Sequence, residues 1–385
     1  MALRTSKPAF NLREKVSELD RPVGSHGSQV MKSDNVGETF DLIQAGRRNT
    51  IINGCMRFNQ RGGSAYASTE YTLDRWKFHR STDGEFDIKQ STEAPTGFSH
   101  SLHVDCRVAS ATVTNNSYAR MRYFVEGYDC RKFGKGTQTP KNFCLSFYVK
   151  TNITGTYAVN LQDHNSKIIT RTYTVTDDKW NRYTIVFPNS TANPITTTNT
   201  TGLEIQFMLI AGLNQTGGDA RNWGAWAANK QGDGHTVNLY SSTSNNLYLT
   251  GVQLEPGNQA TSFEHRSYGE ELALCHRYFE KYTASGGNTG RGPQIGAYNS
   301  TRYFGYINCS PKRHSNLSLG FGGSLRVETI NLGSSTTVSA ISDYAQIDGG
   351  SGIFLEVNTG SWGSGGTLYH LSFPTNAYIT IDSEM

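Results

Sequence analysis

Apolar and polar side chains alternate with a period of two through the middle of this chain. Because successive side chains of a strand point to opposite faces, the alternation predicts β-strands with one buried face. Turn signals such as Pro188-Asn189 separate the runs. A single antiparallel sheet cannot cover its own apolar face, so the strands must form two packed sheets or a barrel, and a jelly-roll β-sandwich is the natural solution. The apolar members are Phe143, Leu145, Phe147 and Val149; Tyr157, Val159 and Leu161; Tyr183, Ile185 and Phe187; and Leu203, Ile205, Phe207 and Leu209.

Composition supports an all-β chain and excludes several functional classes. The 385 residues include 40 glycines and 20 tyrosines, with only 18% charged residues, which is typical of many short strands and turns. The net charge of +4 is spread along the chain, so a dedicated nucleic-acid binder is not expected. No segment is apolar enough to insert in a membrane, and the first residues lack a signal peptide, so we expect folding in a cytoplasm.

Two sequence blocks bracket the alternating region. The first runs from Asn53 to Gly62 and continues with Tyr71 to Trp76; the second runs from Asn245 to Gly257, with Ala260 to Glu264 shortly after. They resemble the opening and the last strand of a carbohydrate-binding-module-like jelly roll in tail-fibre and virion proteins of bacteriophages, especially marine and cyanophage-like ones. The segment Glu270 to Glu280 resembles the "LCxRYF" junction of the same proteins, and the ending Ile381 to Met385 is also similar.

Three regions follow from these patterns: residues 1–49, 50–266 and 267–385. The first region has the only helical periodicity and predicts two short amphipathic helices. Such short helices need another surface, which is a neighbouring subunit, a docking protein of the virion or the chain's own β-domain; in the first two cases the region is a docking segment. The second region is the predicted jelly roll, and the third is predicted to be a smaller C-terminal β-sandwich. The apolar stripes of the two helices are Leu12, Val16 and Leu19, then Val36, Phe40 and Ile43.

Sugar binding is the serious alternative to a purely structural role. Saccharide sites combine an aromatic face with amides and charged groups that hydrogen-bond the hydroxyls. Arg221, Asn222, Trp223 and Trp226 offer this combination in a Gly-flanked loop. The alternative is that both tryptophans anchor the loop against the end of the sandwich.

Four further aromatic residues need an interpretation. Tyr128 and Trp362 lie in polar loops and are weaker candidates for contact with a ligand. Trp76 and Trp180 lie in or beside strands, so we predict that both are packing residues.

Catalytic patterns are absent from the sequence. It has no G-x-S-x-G, H-E-x-x-H, P-loop or G-x-G-x-x-G motif. His100 and His103 are three residues apart, which on a strand turns the rings to opposite faces, so they are interpreted as strand histidines without a partner. Asp177 and Asp178 are interpreted as turn carboxylates rather than a glycosidase pair. The six dispersed cysteines are interpreted as buried free thiols, and we predict no metal and no cofactor.

The resemblance implies a bacteriophage virion structural protein, most simply a tail fibre or receptor-binding component. It would dock to other virion proteins by its N-terminus, present its β-domains for host attachment to surface polysaccharide, form a homotrimer, and act without being an enzyme. Alternatives are a capsid-vertex or head decoration protein and, from a different class, a polysaccharide depolymerase.

Overall fold

A computed structural model describes most of the chain after residue 46. The described residues are 47–62, 65–66, 70–81, 84–283, 290–330, 334–346, 352–363, 367–374 and 376–384. Residues Asn49–Met385 form one compact unit. The predicted docking residues Leu12, Val16, Leu19, Val36, Phe40 and Ile43 lie outside the described residues.

The first part of this unit contains thirteen strands and one short helix among its described residues. Helix α1 (Gly127–Cys130) follows β6, and single 3₁₀ turns occupy Arg131–Phe133, Leu213–Gln215, Ala228–Lys230 and Leu239–Ser241. The strands are β1 (Ala65–Tyr66), β2 (Glu70–Tyr71), β3 (Trp76–Arg80), β4 (Glu85–Ser91), β5 (Ser101–Val108), β6 (Tyr118–Glu126), β7 (Phe143–Thr151), β8 (Gly155–Asp163), β9 (Lys167–Val175), β10 (Asn181–Phe187), β11 (Thr201–Ala211), β12 (Gly224–Ala225) and β13 (Asn246–Pro256).

These strands form the two layers of an antiparallel β-sandwich. The first sheet has the order β1-β4-β5-β13-β7-β10, and the second has the order β12-β9-β8-β11-β6-β3-β2. The predicted strands are all present, and the last of the two sequence blocks forms β13, which pairs with both β5 and β7 at the centre of the first sheet. The all-β class predicted from the alternation is therefore confirmed.

The inward side chains of the two sheets form one hydrophobic core. Phe207 of the second sheet lies 5.1 Å from Phe147 of the first and 6.2 Å from Trp76, measured between ring centroids. Trp76 is fully buried, as the sequence predicted, and its indole N–H donates to the Asn53 carbonyl. Each such side chain contributes roughly 1.5–3 kcal/mol through burial, which is why the alternating residues determine the layering.

The C-terminal part begins with helix α2 (Tyr268–His276), which starts at the capping hydroxyl of Ser267 and leads into nine strands among the described residues. The strands are β14 (Phe279–Thr283), β15 (Gly290–Ala297), β16 (Arg302–Asn308), β17 (Ser318–Gly322), β18 (Arg326–Thr329), β19 (Ser335–Gln346), β20 (Gly352–Thr359), β21 (Leu368–Phe373) and β22 (Tyr378–Asp382).

This region differs in one respect from the smaller sandwich that the sequence predicts. Six strands close into a barrel in the order β15-β16-β20-β19-β18-β21, because β15 pairs with both β16 and β21. A separate three-stranded sheet, β14-β22-β17, accompanies it. Period-two alternation specifies which side chains face inward but not which strands pair, and closure removes the exposed strand edges that an open sheet would leave.

The junction between the two parts is a buried ionic cluster. Glu126, at the end of β6, accepts hydrogen bonds from Arg277 at 2.7 and 3.0 Å and from the Tyr278 hydroxyl at 2.6 Å. The guanidinium of Arg75 lies 3.4 Å from the Tyr278 ring centroid and pairs with Glu384. The "LCxRYF" segment therefore supplies the side chains that hold the end of the sandwich to the C-terminal strands.

Candidate functional site

An aromatic row crosses the outer face of the first sheet. His103 of β5 pairs in register with Tyr248 of β13, and Tyr248 pairs with Lys150 of β7. Trp180 immediately precedes β10, whose first residue, Asn181, pairs with Val149. The neighbours Leu247 and Val149 face the core, so Tyr248 and Lys150 face outward. We call Trp180, Tyr248 and His103 the aromatic row.

The rings of His103 and Tyr248 stack flat on each other. Their centroids are 4.1 Å apart with an interplanar angle of 2°, and Trp180 lies 6.1 Å from Tyr248. His103 is only 9% exposed, and its Nε2 has no hydrogen-bond partner among the described residues. Burial lowers the pKa of His103, so the imidazole is neutral at pH 7. The row therefore consists of uncharged rings, and one buried ring nitrogen in it has no partner among the described residues.

Charged groups at one end hold Trp180 in place. The Trp180 indole N–H donates to the Glu93 carboxylate at 3.2 Å, and the Lys150 ammonium donates to the same oxygen at 3.0 Å. The hydrogen bond from Lys150, followed by that from Trp180, lowers the pKa of Glu93, which keeps the carboxylate charged. At the other end, Lys89 and Asp105 lie 3.9 Å apart and are partly exposed.

A second aromatic group lies next to the row on the same sheet. Phe98 contacts Tyr148 of β7 with centroids 5.4 Å apart, and it also contacts Phe263 and His265. Gly251, with φ of 61°, makes this approach possible, since a Cβ there would lie 2.8 Å from both rings. Phe98, Phe263 and His265 line a cavity of about 320 Å³ together with Arg57, Glu264, Arg266 and Glu271.

The arrangement has the chemistry of a saccharide-stacking surface. The half-buried rings of Trp180 and Tyr248 can cover the apolar C–H face of a pyranose, while Glu93 and Lys150 at the edge can hydrogen-bond its hydroxyls. The rings are held by strand pairing and by the Trp180–Glu93 bond, so little side-chain entropy remains to be lost when a ligand binds.

The residues that the sequence singled out for sugar binding lie elsewhere. Trp223 is half-buried against the core, where its indole N–H donates to the Pro188 carbonyl at 2.7 Å and its ring lies 5.9 Å from Phe143. Trp226 is 45% exposed. Arg221 and Asn222 are exposed, and Arg221 pairs with Asp219 at 3.1 Å. Trp223 therefore anchors its loop, while Trp226 remains available at the surface.

The two weaker candidates occupy separate places. Tyr128 of α1 is 47% exposed, with the Arg131 guanidinium 5.0 Å from its ring centroid. Trp362 packs on the core of the C-terminal barrel, 5.2 Å from Tyr369. Neither is part of the aromatic row.

Two predictions about single residues are wrong. Trp180 was predicted to be a packing residue, but it contributes to the outer surface beside Glu93 rather than to the core. His103 was predicted to have no partner, but it stacks on Tyr248. Trp180 contacts a loop residue 87 positions away and His103 contacts a cross-strand neighbour 145 positions away, and alternation within one strand carries no information about such contacts.

Three further predictions concern the turn at Asp177, the cysteines and metal binding. Asp177 accepts hydrogen bonds from the backbone N–H of Lys179 and from the Asn181 amide, so it caps its turn as predicted. The six cysteines are free thiols. Over the described ranges, no group of three or more His, Cys, Asp or Glu side chains could hold a metal ion. None of the helices described has the length and hydropathy needed to cross a bilayer.

No protein family and no curated protein sequence matches this chain. Among solved structures, it is similar to the enzymatically active domain of tailspike protein 4 of bacteriophage CBA120, with 13% identity, a TM-score of 0.29, and coverage of 54% of this chain and 21% of that chain. It is also similar to a family 11 carbohydrate-binding module from Clostridium thermocellum, with 13% identity, a TM-score of 0.26, and coverage of 52% and 98%.

A third similar structure is TmCBM61 in complex with β-1,4-galactotriose, with 9% identity, a TM-score of 0.28, and coverage of 55% of this chain and 99% of that module. Matches at this level do not establish what this chain binds.

Proposed function

We propose that this chain is a saccharide-binding structural protein of a bacteriophage particle, acting as a tail fibre or receptor-binding component. The observation that carries the binding role is the aromatic row, in which Tyr248 and His103 stack at 4.1 Å beside Trp180. The accessible ring surfaces of Trp180 and Tyr248 suit the apolar face of a neutral pyranose. The ligand would be a polysaccharide of the host surface.

The phage assignment rests on the sequence blocks that bracket the sandwich and on the junction at Glu270 to Glu280. In this proposal the segment 1–49 attaches to other virion proteins, the chain assembles as a homotrimer, and the β-domains project towards the host. The role is one of binding without chemistry, and the protein resides in the virion.

The binding role is tested with the full chain and with Trp180→Ala and Tyr248→Ala variants. We expect each variant to lower adsorption to host cells and affinity for host polysaccharide by roughly tenfold, since stacking on an aromatic ring contributes on the order of 1–2 kcal/mol. Melting temperatures should change little, because both rings lie on the outer face. Trp362→Ala is the matched control, because it removes an indole from the barrel and should leave binding unchanged.

A different result would contradict the proposal. Unchanged adsorption in both variants would exclude the aromatic row as the binding surface. Weakened adsorption in Trp226→Ala would indicate that the loop at Arg221 to Trp226 is the binding surface instead. Release of reducing ends from host polysaccharide would show that the protein is a depolymerase rather than a binding protein without activity. An N-terminal label seen by electron microscopy on tailless heads would replace the fibre with a decoration protein.

A further inference from the structure

A basic patch lies on the opposite outer face of the sandwich, on the second sheet. Strands β3 and β6 are neighbours there, with Lys77 paired to Arg122 and His79 paired to Arg120. Phe78, which lies between Lys77 and His79, and Met121, which lies between Arg120 and Arg122, are buried in the core. The four outward side chains are therefore contiguous, and we call Lys77, His79, Arg120 and Arg122 the basic patch.

The cations of this patch are incompletely neutralised. Arg122 pairs with Glu204 of β11, with Nη2 and Oε2 2.9 Å apart. Arg120 instead donates to the neutral amide oxygen of Gln206 at 2.8 Å. The ammonium of Lys77 lies over the rings of Tyr71 and Phe124, at 4.9 and 5.7 Å from their centroids. Three cations are thus held together with a single carboxylate paired to them among the described residues.

The imidazole of His79 is neutral beside its cationic neighbours. His79 Nδ1 accepts hydrogen bonds from Arg120 Nη2 at 3.0 Å and from Arg122 Nη1 at 3.4 Å, while its Nε2–H donates to the Tyr118 hydroxyl at 3.1 Å. Burial, followed by the charges of Arg120, Arg122 and Lys77, lowers the pKa of His79 to about 4. The ring therefore orients the two guanidinium groups without adding charge.

One donor of the patch is buried and unused. Arg120 is 7% exposed, and its Nε–H has no hydrogen-bond partner among the described residues. An unsatisfied guanidinium donor in the interior costs more than a neutral one, so its retention calls for an explanation. Lys77 and Arg122 are half-buried, which leaves the patch open to solvent.

An amide of a nearby strand extends the patch. Gln162 of β8 is half-buried, and its oxygen accepts a hydrogen bond from the Gln206 amide of β11 at 3.3 Å. Amide side chains recognise hydroxyl groups, whereas paired guanidinium groups recognise planar or tetrahedral oxyanions. The combination suits a saccharide that carries a negative charge.

We infer that the basic patch binds an oxyanion of an acidic saccharide, either the carboxylate of a uronic acid or a sulfate ester. Lys77 and the two arginines would contact the oxyanion, and the half-buried Gln162 would contact a ring hydroxyl. This inference rests on the proposed saccharide-binding function but uses a different face of the molecule. It predicts that the particle prefers charged surface polysaccharides over neutral ones.

The test uses calorimetric titration of the full chain with four probes. These are an oligogalacturonate, its fully methyl-esterified form, a sulfated carrageenan oligosaccharide and its desulfated form. We expect at least one acidic probe to bind about tenfold more tightly than its neutral partner, because the neutral probe lacks the charge-assisted contacts. The affinity of the acidic probe should fall as salt is raised, because salt screens those contacts. The carboxylate and sulfate arms distinguish the two sources of the oxyanion.

Variants connect the preference to the basic patch. Lys77→Gln changes a half-buried residue that is not itself part of the ion pair, and it should weaken acidic binding by roughly five- to tenfold. Arg120→Lys should also weaken it, because the charge is kept but the bidentate geometry of the guanidinium is lost. Lys167→Gln is the matched control, because it removes the same charge from β9 of the same sheet. Melting temperatures identify any variant that fails to fold. If Arg120→Lys fails to fold, the result with Lys77→Gln decides whether the basic patch binds the acidic probes.

Three results would overturn the inference: equal binding of acidic and neutral partners, no binding of either acidic probe, or equal losses in Lys77→Gln and Lys167→Gln. Acidic binding that is lost in Trp180→Ala but retained in Lys77→Gln would also overturn it, while leaving the proposed function standing. Acidic binding that depends on Lys77 but not on Trp180 would support the inference even if the aromatic row bound nothing.

Discussion

The two outer faces of the sandwich are built from the same alternating strands but are covered very differently. On the first sheet, the aromatic row, Lys150 and Glu93 remain at the surface. On the second sheet, residues 212–245, which we call the crossing segment, run along β8 and β9. The backbone N–H of Thr170 in β9 donates to the Ala220 carbonyl of this segment at 2.8 Å, and the Thr170 hydroxyl donates to the Lys230 carbonyl at 2.6 Å.

The crossing segment converts outward polar residues into buried ones. Asn160 is completely buried, and its amide donates to the Gln231 carbonyl at 2.8 Å. His235 of the crossing segment is 6% exposed and packs on β8. An outward position in a strand is therefore an interior position at Asn160, under the crossing segment, but a surface position at Lys150 on the first sheet and at Lys77 on the second. Substitutions on the first face should change binding, whereas substitutions under the crossing segment should change stability.

The largest expected effect is the loss of folding stability at low pH that His235 causes. Its Nδ1 accepts from the Ala158 N–H at 3.2 Å and its Nε2–H donates to the Val237 carbonyl at 2.8 Å, so the folded state holds the neutral ring. Burial lowers its pKa from 6.5 to about 4. Between these pH values the unfolded chain binds a proton that the folded chain does not, so stability falls as the pH falls.

We expect this group to remove roughly 3 kcal/mol of unfolding free energy as the pH falls through that window. Urea unfolding at a series of pH values measures the loss. His235→Gln should reduce the slope of the pH dependence, leaving the part that other histidines with a lowered pKa, such as His79, contribute, whereas His164→Gln, which alters an exposed histidine, should leave the slope as it is. Equal slopes in the protein and in His235→Gln would mean that the crossing segment does not bury this ring in solution.

The second test compares two asparagines that occupy outward positions on the two sheets. Asn160→Leu leaves the Gln231 carbonyl without its donor under the crossing segment, so the unfolding free energy should fall by about 2 kcal/mol. Asn246→Leu alters a half-buried residue of β13 on the first sheet and should cost less than about 1 kcal/mol. Similar losses in chemical denaturation would remove the distinction between the two faces.

The smallest effect is expected at the rim of the aromatic row. Glu93→Gln weakens the bonds from Lys150 and Trp180, but exposed ion pairs contribute less than about 1 kcal/mol, so the melting temperature should hardly move. Saccharide affinity should fall only a few-fold, because Trp180 becomes less well ordered. Asp178→Asn, at an exposed turn position, is the control, and an equal effect of both variants would show that Glu93 does not orient the indole.

Particular residues show how far the sequence could be interpreted alone. The alternation from Phe143 to Leu209 predicted the strands, and the fully buried Trp76 was predicted as a packing residue. The loop at Arg221 to Trp226 was the predicted sugar site, yet Trp223 lies against the core. The aromatic row was missed because its three rings come from positions 103, 180 and 248, and only strand pairing brings them together.

The sequence by itself determined that this is an all-β chain with apolar inner faces, because side-chain direction in a strand is a local property with a period of two. Only the tertiary structure decided which outward residues became neighbours, which were covered by the crossing segment, and that the C-terminal strands close into a barrel. Those outcomes depend on register and on contacts between distant segments, which the local pattern of any one strand leaves open.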